Sequence, residues 1–436
     1  MKARVYWLGL VLLCSACAAP SLRYKTEVNK LAAAGKFKEA DALVVSKQKK
    51  MYAGHDYALA YLDRAALLHD AGESAQSDRL LDLAQQRITD LYTKSITANA
   101  GRLLINDLTT PYYPAAYERA LTCFYRAMNF LQQDDVMGAG VEARRAVFFL
   151  DQLRGSKKKG YNDDPFIQYV ASLIFESLGQ LSDARIARQN ALNAYSSLGG
   201  SLKISAPEFY VPGNASELGE IIIFHYNGRI PLKKTQTTQI AWDRAMTLIS
   251  TERESRAGMD VQVANALDAG FLGHAITLAY PVLETQYFTV ASSAVQANGQ
   301  TYRLQKVADF AATARLDLDE NLPGIWLRTI TRAIAKQVVA EQTRQAVKSA
   351  TKDEGWSNLA GLALNILGAA TEKADTRQWF TLPAEVYMTR IFVVPGQQNI
   401  RLLLRDGYGN IVGEKIFEQV QVKRGGRVFL HFRTAY

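Results

Sequence analysis

Between residues 22 and 200 the apolar positions recur at helical spacing and are interrupted at regular places. Three stretches share one plan: "AAAGKFKEADALV" (32–44), "LLHDAGESAQSDRLLDLAQ" (67–85) and "FESLGQLSDARIARQNAL" (175–192). In each, an apolar helix ends at a glycine (Gly35, Gly72, Gly179) and a second helix opens within a few residues. Glycine permits the left-handed turn that ends a helix. Five residues later comes a small side chain, Ala40, Ser77 or Ala184, and Ala84 and Ala191 repeat it after a further seven. A fourth copy, "QQDDVMGAGVEARRAVFFL" (132–150), lacks the turn glycine but keeps Ala139 and Ala146. Small residues at this spacing let antiparallel helices approach closely and then let pairs stack. The pattern predicts four helical hairpins.

Each first helix carries two apolar stripes. One, with Tyr61, Ala65 and Leu68, packs on its hairpin partner. The other runs Leu62, Ala66, His69; Phe124, Met128, Leu131; Tyr169, Leu173, Glu176, spaced i, i+4, i+7 on one face. It points to the concave side of a stack, so Leu62, His69, Phe124, Met128, Tyr169 and Glu176 are candidates for a peptide-binding groove. The competing reading is that the C-terminal region, or an insertion at 93–115, covers them. Cys123 falls on the packing stripe and reads as a small buried hydrophobe.

At "GGSLKISAPEFYVPGN" (199–214) the period stops, and 201–214 reads as a linker. Beyond it "GEIIIFHYNG" (219–228) is a buried strand, and residues 279–309 are strands joined at Asn298-Gly299. Residues 322–348 form an amphipathic helix with Pro323 in its first turn, and "NLAGLALNILGAA" (358–370) a short apolar one. Alternating strands at 385–394, 399–406, 411–422 and 427–433 close the chain. The expected class is α+β, with a helical repeat stack (22–200), a mixed domain (215–374) and a terminal antiparallel sheet or small sandwich (375–436). Residues 22–200 are therefore expected to fold alone with a cooperative melt, since four stacked hairpins can suffice; against this, no capping helix follows Leu192, which argues that the C-terminal part covers the end of the stack.

The hairpins resemble the tetratricopeptide (TPR) repeat. Their small-residue marks at 40, 77, 139 and 184 are spaced 37, 62 and 45, against a unit of about 34, and the long gap places the insertion at 93–115. An irregular helical domain with unrelated hairpins is the alternative.

The N-terminus adds location. Basic Met1-Lys2-Ala3-Arg4, an apolar run from Val5 to Leu13, then Ser15 and Ala16 before Cys17 resemble a bacterial lipoprotein signal. The run is too short to span a bilayer, which needs about 20 apolar residues. The resemblance implies cleavage after residue 16, acylation of Cys17 and a tether at 17–21. Ala18 in place of Asp then implies the periplasmic side of the outer membrane. Cys14 stands where such signals usually have Leu. An ordinary secretory signal is the duller reading, and a metal or redox cysteine pair lacks nearby partner ligands.

Charge narrows the partners. Loss of Lys2 and Arg4 lowers the formal charge from +9 to +7, with 24 basic against 21 acidic residues before Gly213 and 25 against 21 after it. So even a spread offers nucleic acid no concentrated basic face. Lys47-Gln48-Lys49-Lys50 and Lys157-Lys158-Lys159 read as solvated charge. Apart from Cys17, the processed chain keeps only Cys123, so no intrachain disulfide is expected. Enzyme motifs fail on inspection. "DLDEN" (317–321) starts like a calcium loop, but Leu322 and Arg328 occupy its glycine and glutamate places. "GYGNIVG" (407–413) lies between strands and opens no helix. The histidines, His55, His69, His225, His274 and His431, show no ligand spacing. No metal, cofactor or catalytic residue is assigned.

"DTRQWFTLPAE" (375–385) completes a set with the signal, the hairpins, an "RAIAK" helix, a Gly/Ala-rich apolar helix and a terminal sheet. The set resembles an uncharacterised family of TPR-like lipoproteins of Gram-negative bacteria. That resemblance implies an envelope accessory protein, encoded near lipoprotein activators of peptidoglycan synthases. Asp375, Arg377 and Trp379 then form either a polar anchor with an aromatic lid or a structural corner in which Arg377 pairs with an acid. The expected function is a protein-interaction scaffold facing the periplasm, held to the membrane by lipid and meeting other envelope proteins through the groove. A secretion or polysaccharide-export accessory, or an envelope enzyme with an unrecognised site, are the alternatives.

Overall fold

A computed structural model describes residues 20–95, 108, 110–155, 163–241, 275–351 and 373–436. The signal segment with Cys17, most of the 93–115 insertion, Lys157 to Lys159 and the apolar segment 358–370 lie outside the described residues.

Among the described residues, eight α-helices form the N-terminal half: α1 (Leu22–Ala33), α2 (Phe37–Met51), α3 (Tyr57–Asp70), α4 (Ser74–Ser95), α5 (Ala116–Gln132), α6 (Val136–Gly155), α7 (Pro165–Ser177) and α8 (Leu181–Leu202). They pack as consecutive hairpins, each on the next. The turn glycines Gly35, Gly72 and Gly179 sit at φ 71°, 79° and 71°. The hairpin without a glycine makes the same turn with Asp134 at φ 58°, a residue type that tolerates the left-handed region. Ala40, Ser77, Ala139 and Ala184 are all buried, as close helix approach demands. Asp164 caps α7 by accepting from the Ile167 backbone at 3.0 Å, with Pro165 in the first turn.

The described residues of the C-terminal half hold ten strands: β1 (Gly219–Asn227), β2 (Leu232–Ala241), β3 (Ala275–Glu284), β4 (Ser292–Ala297), β5 (Gln300–Arg303), β6 (Gln305–Asp309), β7 (Glu385–Val393), β8 (Gly396–Arg405), β9 (Ile411–Val422) and β10 (Arg427–Thr434). Among the described residues, one long helix, α9 (Phe310–Thr351), lies between β6 and β7. Two four-stranded sheets, ordered β10-β1-β7-β6 and β5-β4-β8-β9, face one another, and β2-β3 forms a separate ribbon. Asn298 at φ 51° and Gly299 at φ 72° make the β4–β5 hairpin turn.

The first sheet is the middle layer of three, and β1 shows why. Its side chains alternate between faces. Ile222, Phe224 and Tyr226 join the core with the helices, while Ile221 and Ile223 join the core between the sheets. Every residue of β1 is therefore buried, which is why the sequence there reads as one apolar run.

Three expectations change. The first sheet is not wholly antiparallel: β10 lies parallel to β1, from Glu220↔Arg427 to Asn227↔Thr434, because the chain crosses from the second sheet before its last strand. The helix expected at 322–348 begins at Phe310, capped by Asp309, whose carboxylate accepts from the Ala312 backbone at 2.8 Å. Pro323 is thus inside the helix, not in its first turn. The stretch 201–214 is no free linker. α8 continues to Leu202, Ile204, Ala206 and Phe209 pack on the core, and Gln305 Oε1 accepts from the Glu208 backbone at 3.1 Å.

One hydrophobic cluster runs from Tyr24 in α1 to Ala435 beyond β10. The end of the helical stack is closed by the C-terminal half: Leu198 and Leu202 pack with Ala312 and Leu316, and the Tyr195 hydroxyl donates to the Val307 carbonyl at 2.9 Å.

Candidate functional site

The concave stripe is a core. Leu62, Phe124, Met128 and Tyr169 are 5 % exposed or less, and His69 is fully buried. Phe124 meets Phe166 with centroids 5.0 Å apart and also contacts Tyr226 of β1. Tyr169 accepts from Arg390 of β7 at 3.3 Å. Glu176 is bound by Arg427 of β10 at 2.5 Å and by Arg188. The expectation of an open peptide groove on Leu62, His69, Phe124, Met128, Tyr169 and Glu176 is therefore corrected: the chain's own first sheet fills it. The physical reason is that so wide an apolar stripe has no stable exposed state when a strand with a matching apolar face follows in the same chain.

Residues 374–384 thread along that filled face, and the Asp375–Trp379 motif sits there. Extended backbone outside a sheet needs partners for its N–H groups. Here helical acids supply them. Glu118 Oε1 accepts from the Trp379 backbone at 2.8 Å, and Asp63 Oδ1 accepts from the Phe380 backbone at 3.1 Å. Lys25 donates to the Thr376 carbonyl at 2.6 Å. Arg377 is saturated. It donates to Asp375 at 2.7 and 3.0 Å, to Asp56 at 2.7 Å and to the Thr110 carbonyl at 2.7 Å. Trp379 is fully buried, and its indole N–H donates to Thr381 at 3.1 Å. The corner therefore clamps the segment to α3, α5 and the turn before α3.

Burial sets the electrostatics. It raises the carboxyls of Asp56, Asp63 and Glu118, against the pull of Arg377 on Asp56, of the Tyr52 hydroxyl on Asp63 and of the Lys233 charge on Glu118. Burial also acts on Asp375, but Arg377 outweighs it and holds that carboxyl below its usual range. Sequence reasoning missed these three acids, two on helices and Asp56 in the turn before α3. The signal was available in "YALAYLDRAALL" (57–68), where Asp63 interrupts an apolar face.

Beside the clamp opens a cleft of about 310 Å³. Its walls are the loop at Thr110 to Tyr113, the β2–β3 ribbon, α9 on both sides of Pro323, and Asp375 with Arg377. Lys233 and Arg328 line it, both half-buried, and neither makes an ion pair among the described residues. The described lining residues include no histidine or cysteine. A cleft of this kind can hold an anionic group against two cations, with Asp317 and Asp375 limiting how much negative charge it accepts. Among the described residues no helix is long and apolar enough to cross a membrane. No family model, no curated protein and no solved structure matches the chain.

Proposed function

We propose that this chain is a lipid-anchored scaffold on the periplasmic side of the outer membrane, a member of the uncharacterised TPR-like lipoproteins of Gram-negative bacteria, and a binding protein rather than an enzyme. The lipoprotein-like signal ending at Cys17 supports the location. Four hairpins with buried small residues at 40, 77, 139 and 184 support the repeat reading. Binding is assigned to the cleft beside Arg377, because the concave face is already occupied from within.

The carrying observation is the contrast between cations in one place. Arg377 is saturated by two carboxylates and a carbonyl, while Lys233 and Arg328 face the cleft without an ion-pair partner among the described residues. Two such half-buried cations select an acidic segment of a partner, and a rigid wall behind them fixes its approach. A photo-crosslinking residue placed at Lys233 in cells should give one defined envelope-protein adduct that disappears when Arg328→Glu is added. The same residue at Tyr408, 94 % exposed in the β8–β9 turn, should not give that adduct. No adduct at 233, or identical adducts at both positions, contradicts the proposal.

A further inference from the structure

A second polar cluster lies where the end of α3 meets β10. His69, Asp70 and His431 bring their candidate donor atoms to within 4.8 Å of one another. Two histidines and a carboxylate are a ligand set for a borderline divalent ion such as zinc.

The hydrogen bonds fix one ligand in the required form. Ser77 donates its hydroxyl proton to the Ala65 carbonyl at 2.8 Å, so its oxygen can accept from the Asn129 amide at 2.9 Å. The Asn129 carbonyl oxygen must then accept at 2.7 Å from His69 Nδ1, which carries the ring proton. That leaves a lone pair on His69 Nε2, which is buried and has no hydrogen-bond partner. This is the outer-shell arrangement that orients ligating histidines. Asp70 is held in the same way: Arg433 Nε donates to Oδ2 at 3.2 Å, and Oδ1 is buried without a partner. The Tyr226 hydroxyl, whose ring packs against both imidazoles, is a third buried polar atom without one. Orphaned polar atoms gathered at one point call for an ion or water.

The surroundings suit a cation. Asp70 is the last residue of α3, so the negative end of that helix dipole faces the cluster. Arg433 does not close the site, since its Nη1 is taken by the Tyr226, Gly228 and Thr434 carbonyls. The imidazoles now stack with centroids 4.3 Å apart, tilted by 21°. Sharing one tetrahedral ion at about 2 Å from each nitrogen would place the centroids about 5 Å apart. Gln132 Nε2 donates to His431 Nδ1 at 2.6 Å, its amide oriented by the Ser74 hydroxyl, so His431 joins an ion only by giving up that bond and turning its ring away from the stack.

We propose that His69 Nε2, Asp70 Oδ1 and His431 form a binding site for a zinc-class divalent cation that ties α3 to β10. It is independent of the cleft beside Arg377.

Tag-free full-length protein, stripped with chelator, should bind one equivalent of zinc by calorimetry. Cobalt in its place should give the strong visible bands of tetrahedral nitrogen and oxygen coordination. Asn129→Ala, which releases the His69 tautomer, should weaken binding about 10–100-fold, and His431→Ala should abolish the equivalent. A control at a histidine outside the cluster, the half-buried His55→Ala beside Asp56, should leave it unchanged. Absence of stoichiometric binding, or equal binding by folded His431→Ala, overturns the site and leaves a polar cluster filled by water. If His431→Ala does not fold, the wild-type cobalt spectrum decides, and an octahedral, water-like spectrum overturns the site.

Discussion

At the scale of single residues, the side chains that first suggest a groove are the ones holding the molecule together. Phe124 is wedged between α7 and β1, and Tyr169 joins α7 to the Arg390–Glu220 pair. Phe124→Ala and Tyr169→Ala should each cost about 3–5 kcal/mol, the range for truncated core aromatics. Urea denaturation monitored by tryptophan fluorescence checks this, and small losses would mean that the face is open. Lys25 gives a pH signature. Burial pulls its pKa down to about 8 from 10.5, so between these values the unfolded chain binds more protons than the folded one. Stability linked to Lys25 is therefore fully present above about 10.5 and lost as pH falls through about 8. Denaturation midpoints should show wild type gaining about 2 kcal/mol from pH 8 to pH 10 relative to Lys25→Met.

At the scale of elements, the turn after β1 separates space from backbone strain. Gly228 has φ +67°, and a Cβ there would meet the Phe288 ring, whereas Gly35 at φ +71° has nothing within 4 Å. Gly228→Ala should therefore cost about 2–4 kcal/mol, strain and overpacking together. Gly35→Ala should cost only about 1–2 kcal/mol, from its left-handed backbone alone. Thermal melts of the pair test the order. The elements themselves were readable where periodicity was strong. The hairpins announced their turns through glycine, and β7 to β10 through alternation. The start of α9 was hidden because Pro323 resembles a first-turn proline, while the true cap, Asp309, follows a strand directly. The parallel β10–β1 pairing joins residues about 200 positions apart, and no local pattern encodes it. The same distance hid the site residues. Arg377 was visible as a candidate for pairing with an acid, but Asp56 lies 321 residues earlier. Lys233 and Arg328 carry no local motif that marks them as neighbours.

At the scale of the molecule, the proposed tether at Cys17 would carry a rigid body. Cys17→Ser should abolish acylation and release the protein from membranes. Fractionation with mass spectrometry of the N-terminal peptide checks this, and an unlipidated residue 17 in wild type would remove the anchor. The rigid body rests on α1 to α8 and the first sheet sharing one core, with Asp63, Glu118 and Asp70 each bonded to the C-terminal half. A helical stack stripped of that cover would expose its whole concave face and leave those acids without their buried partners. Equilibrium denaturation of residues 22–200 alone, with and without residues 201–436 added, measures this dependence directly. The predicted result is an aggregated or non-cooperative fragment that recovers a sharp transition when the second piece is present. A fragment that is soluble and melts cooperatively by itself would contradict the interlocked fold.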